Sequence, residues 1–208
     1  MNVITLWRAR AWTLPLILFL LLTLSLSLKP LGAAAQTVSV SGVTLENRIM
    51  LGGSALQLNG AGVRTRAVFR VYVAGLYLSR PATNLEEVLA APGPKRLSVT
   101  MLRDIDTAVL GRLFARGIEN NIDRRTFSRL IPGVIRMSQI FTDHRQLRAG
   151  DTFTIDWLPG SGTVISVKGQ VAGEPFTEPE FFDAMMRIWL GAQPAEQALK
   201  DALLGRSP

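Results

Sequence analysis

The chain has 208 residues, a formal charge of +7, one histidine and no cysteine. The missing thiol excludes a thiolate nucleophile, an iron–sulfur cluster, a thiolate zinc site and any disulfide, and a lone histidine excludes a multi-histidine metal site. Basic residues, as in Arg64-Thr65-Arg66 and Arg124-Arg125, are scattered among acidic ones without the aromatic-interleaved stripe of a nucleic-acid binder, so a mildly basic, solvated surface with no nucleic-acid partner is expected.

Residues 1–35 have the three parts of a secretory signal peptide. Arg8 and Arg10 open it and no acidic residue precedes Glu46; residues 12–28 are almost wholly apolar, and Gly32-Ala33-Ala34-Ala35 supplies the small-residue end. Cleavage after Ala35 would leave Gln36 as the new N-terminus. The alternative is an uncleaved anchor, although the apolar run is short of the roughly 20 residues that span a bilayer. The expectation is an exported protein of the periplasm or cell envelope. Its working part is one domain over residues 36–208, large enough to hold a core by burial alone.

The first part of that domain alternates as strands do. Val38, Val40, Val43 and Leu45 are spaced by polar or small residues, and Leu56 and Leu58 precede an expected turn at Asn59-Gly60-Ala61-Gly62. Residues 68–78 are dense in β-branched and aromatic side chains and read as a strand buried on both faces. A short helix is expected over 85–91, closed by Pro92-Gly93-Pro94, and a strand over 96–102. Asp106 is a helix N-cap, followed by an apolar stripe of Val109, Leu110, Leu113, Phe114, Gly117, Ile118 and Ile122. Two further helices are expected at 124–130 and 133–142, divided by Pro132. Residues 152–158 and 163–168 flank Pro159-Gly160-Ser161-Gly162, a hairpin signal. Thr177 and Glu180 form a capping box for a helix buried through Phe181, Phe182, Met185, Ile188 and Trp189. Gly191 stops it, and Pro194 starts a last helix with Ala195, Ala198, Leu199, Ala202 and Leu203 inward. Strands at both ends with helices between them make an α+β domain, one antiparallel sheet carrying a helical layer.

Most apparent chemistry dissolves on inspection. His144 lies in a polar stretch at a helix end, where a solvated or C-capping role suits it better than a general base or haem ligand. Gly160-x-Gly162-Thr163 leads into a strand rather than a helix, so it is a turn and not a phosphate loop. Capping accounts for Asp104 and Asp106, and Glu86-Glu87 lies on a short exposed helix. No metal and no cofactor are expected. Three arginines remain: Arg64 before a strongly apolar strand, Arg103 at a strand end beside Asp104, and Arg187 beside Ile188-Trp189. A guanidinium at the rim of a sheet can hold a carboxylate or enolate through a bidentate contact, but on position alone each of the three is better read as a surface or ion-pair residue.

The string Leu58-Asn59-Gly60-Ala61-Gly62-Val63-Arg64, followed by Phe69-Arg70-Val71-Tyr72-Val73-Ala74-Gly75-Leu76-Tyr77-Leu78, resembles the N-terminal signature of the chalcone isomerase family. Met101-Leu102-Arg103-Asp104, Leu158-Pro159-Gly160-Ser161-Gly162-Thr163 and Ile188-Trp189-Leu190-Gly191 are similar to strings of its bacterial exported branch. The resemblance implies an open-faced β-sandwich with helices on the large sheet and a ligand cleft between them. It also places Arg64 on the family's catalytic arginine, which stabilises a phenolate and enolate in the plant enzymes. Tyr72 falls at the threonine that positions water, Val109 near a helix tyrosine and Ile188 at a late threonine. The electrostatic anchor is retained while most of the hydroxyl network is absent. The expected function is therefore non-catalytic binding of an apolar acid, such as a fatty acid, by Arg64, Tyr72, Arg103, Val109, Ile188 and Trp189. The alternative is an intramolecular lyase or isomerase for a chalcone-like substrate, with Arg64 stabilising an oxyanion and Tyr72 as acid or base.

Overall fold

A computed structural model describes residues 36–206, so the expected signal peptide lies outside the described residues. The chain begins with a hairpin of β1 (Thr37–Val40) and β2 (Val43–Glu46). It continues through β3 (Arg48–Leu51), β4 (Ser54–Arg66) and β5 (Phe69–Leu78) to a short helix α1 (Leu85–Ala90) and β6 (Lys95–Met101). A small pair, β7 (Ile105–Asp106) and β8 (Gln146–Leu147), brackets the helices α2 (Thr107–Glu119) and α3 (Arg124–Thr142). After β9 (Thr152–Leu158), β10 (Gly162–Val167) and β11 (Gln170–Val171) come α4 (Pro179–Leu190) and α5 (Gln197–Leu203). Seven strands form one antiparallel sheet in the order β11-β10-β9-β6-β5-β4-β3.

The α+β expectation holds. Every residue of β5 from Tyr72 to Leu78 is buried, because the strand is covered on both faces. Helices cover one side; on the other, Leu45 of the β1–β2 hairpin lies against Gly75. Eight of the twelve residues of α4 are buried, making it the centre of the helical layer. Within the helical layer, Phe114 of α2 packs edge-on against Phe141 of α3 and Trp189 of α4, with ring centroids 5.3 and 5.4 Å apart. Such pairs are worth about 0.5–1.5 kcal/mol beyond the area they bury.

Four local expectations are overturned. Residues 124–142 form one helix with Pro132 inside it. An interior proline costs about 3 kcal/mol, but the stripe Leu130, Val134, Met137, Ile140 and Phe141 runs through it unbroken, and each such side chain contributes roughly 1.5–3 kcal/mol on burial. The expected Thr177–Glu180 capping box is absent: α4 starts at Pro179, with Glu178 as N-cap and no capping side chain. The last helix begins at Gln197 rather than Pro194, with Leu199 and Leu203 buried but Ala198 exposed.

The fourth correction positions the site. Asn59-Gly60-Ala61-Gly62 is the middle of β4 and not a turn. A Cβ on Gly60 would lie 2.1 Å from the Ala202 carbonyl oxygen, and one on Gly62 2.7 Å from the Ala202 Cβ. The glycines let α5 lie directly on the strand. Asn59 fastens the contact, its Nδ2 donating to the carbonyls of Ala82 at 2.9 Å and Leu203 at 2.8 Å.

Candidate ligand cavity

Antiparallel pairing sets Arg64 of β4 directly opposite Tyr72 of β5. Both line a cavity of about 230 Å³ beneath α2 and the α4–α5 connection. Its walls are apolar: Val71 from the sheet, Val109, Leu113 and Phe114 from α2, Ile188 from α4, and Ala195 from the connection. Arg66 and Arg116 add two cations to the lining, and Asn120 and Gln193 the neutral polar groups.

Arg64 is engaged but not exhausted. Its Nη1 donates to Glu196 Oε2 at 3.1 Å and to its neighbour's carbonyl on Thr65. The same carboxylate oxygen accepts from the Thr65 amide at 2.6 Å. Among the described residues neither Nε nor Nη2 of Arg64 makes a hydrogen bond, which leaves a guanidinium edge for a second carboxylate. Both side chains of the pair are about a quarter exposed, so solvent limits the ion pair to about 1 kcal/mol or less.

Tyr72 is 5% exposed and Trp189 1%. The Trp189 indole N–H donates to the Tyr72 hydroxyl oxygen at 2.9 Å. Burial pushes the Tyr72 hydroxyl up to about 12, an effect that the indole and the Arg64 charge only partly offset. At neutral pH the hydroxyl therefore keeps its proton. Its oxygen is spoken for as an acceptor, and among the described residues nothing accepts its hydrogen. The group is a hydrogen-bond donor rather than a base, carried on a side chain that lines the cavity.

The remaining expected site residues divide. Val109 and Ile188 line the cavity, while Trp189 stands behind Tyr72 and orients it without lining the space itself. Arg103 does not join Arg64. Its guanidinium lies 4.7 Å from the centre of the Phe69 ring, beside a neighbouring depression. Nor does Asp104 hold Arg103, since its carboxylate accepts instead from the Ala149 amide at 3.0 Å. His144 follows the end of α3, where its amide donates to the Phe141 carbonyl, and it does not line the cavity. Glu196, Arg66 and Arg116 are the residues that sequence reasoning missed as site groups. Glu196 lies 132 positions from Arg64, and no spacing rule links a strand arginine to the N-cap of the last helix.

The chain matches the chalcone isomerase-like family over residues 37–205. No curated protein matches it by sequence. Among solved structures, the crystal structure of an Arabidopsis thaliana fatty-acid binding protein matches with a TM-score of 0.67 at 14% identity. The alignment covers 81% of this chain and 96% of that one, a likeness of fold.

Proposed function

The chain belongs to the chalcone isomerase-like family, and from that premise we propose that it is an exported, non-catalytic binding protein for an apolar acid such as a fatty acid. The observation that carries this reading is the make-up of the cavity. Aliphatic walls end at Arg64 and Tyr72, which offer a guanidinium edge and a hydroxyl hydrogen side by side. An apolar pocket with a few convergent polar groups is the usual construction of a small-molecule site. The like-folded plant protein, itself a fatty-acid binder by name, supports the same reading.

The alternative is an intramolecular lyase or isomerase using Arg64 to stabilise an oxyanion. Val109 and Ile188 line the cavity without hydroxyls, and Tyr72 holds its proton to about pH 12. Each missing donor of a preorganised network costs about 10²–10³ in rate, so the cavity suits retention of a ligand better than turnover.

The volume bears on ligand length. About 230 Å³ is below the roughly 300–1,000 Å³ of ordinary ligand pockets. A short or medium acid fits within it, and a longer tail leaves through the adjoining depression, which shares Arg66, Val71, Ile105 and Val109 with the cavity. Native mass spectrometry of the purified protein with saturated acids of increasing length tests the reading. One-to-one complexes with acids, and none with alkanes of matched length, are expected; no complex with any acid would overturn it. Export is tested separately by N-terminal sequencing, with Gln36 expected as the first residue of the mature protein.

A further inference from the structure

The turn between β4 and β5 has an unusual surface. Val68 is 85% exposed and Phe69 57%, side by side at the tip of a two-residue hairpin. Ala67, the first turn residue, has φ +53, a left-handed conformation that glycine adopts more easily. Cations surround the apolar tip: Arg66 and Arg70 on the hairpin strands, and Arg103 with its guanidinium stacked 4.7 Å from the Phe69 ring centre. None of these three arginines forms an ion pair among the described residues. From Asn47 to Leu85 the sequence holds five arginines and no acidic residue. The nearby carboxylates of Asp104 and Asp106 are engaged by the amides of Ala149 and Ala108.

We propose that this hairpin tip docks on an anionic lipid surface, with Val68 and Phe69 entering the interface and Arg66, Arg70 and Arg103 meeting the headgroup phosphates. The pairing of an aliphatic and an aromatic side chain with a collar of arginines is the chemistry that interfacial binding uses. A protein partner is the poorer fit, because a stable protein interface buries roughly 1,200–2,000 Å² and a two-residue tip offers far less. A membrane needs no such area, since each arginine near an anionic surface adds about fivefold to binding. The docked tip also lies beside the cavity: the depression formed by Phe69, Arg103 and Ala67 shares its inner lining with the ligand space. Docking of this kind goes beyond the ligand reading and does not depend on it.

The absence of native cysteine makes the test clean. Val68→Cys in the full chain carries a polarity-sensitive fluorophore, and Val171→Cys, exposed on β11 at the far edge of the sheet, carries the same fluorophore as reference. The probes are vesicles of equimolar phosphatidylglycerol and phosphatidylcholine, or of phosphatidylcholine alone, with no fatty acid present. A blue shift is expected at position 68 with the anionic vesicles only, absent at 171 and lost in about 0.5 M salt, where screening shortens to a few ångströms. Arg66→Gln, Arg70→Gln and Arg103→Gln are each expected to weaken it about fivefold. Residues 1–35 are common to both labelled proteins, so binding through that segment alone would leave the two labels alike. Equal responses at 68 and 171, a label at 68 that stays in water, or a shift that appears without vesicles as protein concentration rises would each overturn the proposal, the last in favour of self-association.

Discussion

Arg64 and Tyr72 are register partners on adjacent strands, and their side chains enter one cavity from the same face of the sheet. Each has one side held by the protein: Glu196 on the arginine and the Trp189 indole on the tyrosine. What remains free on both is donor capacity, which suits an oxygen-rich anion. The pairing depends on a local irregularity, because a register shift falls between Arg64 and Thr65, and such bulges re-aim a side chain at a strand end.

Tyr72→Phe should cost stability as well as affinity. It leaves the Trp189 indole N–H, in a side chain 1% exposed, without its acceptor, and a buried unsatisfied donor costs about 1–3 kcal/mol. Urea unfolding should record that loss with an unchanged slope.

The chain has two tyrosines, and both are pushed up to about 12, first by burial; at Tyr77 the Glu46 charge pushes the same way. Folding thus favours the protonated hydroxyls. The resulting stability is complete below the ordinary tyrosine value of about 10 and is lost as pH rises through 12. A spectrophotometric titration should show almost no tyrosinate at about pH 11 in the folded protein. Absorbance rising around pH 10 before unfolding would contradict the burial of both hydroxyls.

The glycines divide by what a Cβ would meet. Gly60→Ala collides with the Ala202 carbonyl at 2.1 Å, and overpacking of that kind costs about 1–3 kcal/mol or more. Gly111→Ala in α2 meets only ordinary contacts with Ser138 at 3.4–3.5 Å, and helix propensity then favours alanine by up to about 1 kcal/mol. Thermal melts should move in opposite directions.

That contrast shows where the sequence is readable. β5 and α4 are legible because burial leaves a local imprint: a dense apolar strand, and apolar side chains throughout a helix. The span 59–62 reads as a turn, wrongly, because its glycines answer to a helix 144 positions downstream of Asn59, and glycine-rich composition locally signals a turn. Pro132 misleads for a related reason, since packing across the whole of α3 outweighs a local helix breaker. Arg64, Tyr72 and Ile188 can be named as site residues from strings resembling a known family, and Val109 from its place near that family's helix tyrosine. Glu196 cannot, because its role exists only once α5 lies on β4.

Glu196 competes with any acidic ligand for Arg64. Glu196→Gln removes the like charge but keeps an oxygen for the Thr65 amide, so affinity for an acid should rise severalfold. Stability should fall by about 1 kcal/mol or less, as expected of a solvent-screened pair. Isothermal titration with Glu196→Gln and the unmodified chain compares the two.

The most direct measurement sets an acid against its neutral analogue. Charge-assisted contacts contribute about 1.5–3 kcal/mol, so Arg64→Ala should weaken binding of a fatty acid roughly ten- to a hundredfold. Binding of the corresponding alcohol should scarcely change. Arg64→Lys should restore only part, because an ammonium lacks the planar fork. Equal losses for acid and alcohol, or a lowered melting temperature with relative affinities unchanged, would mean that Arg64 serves only to hold Glu196 and the start of α5, and would contradict the anchor.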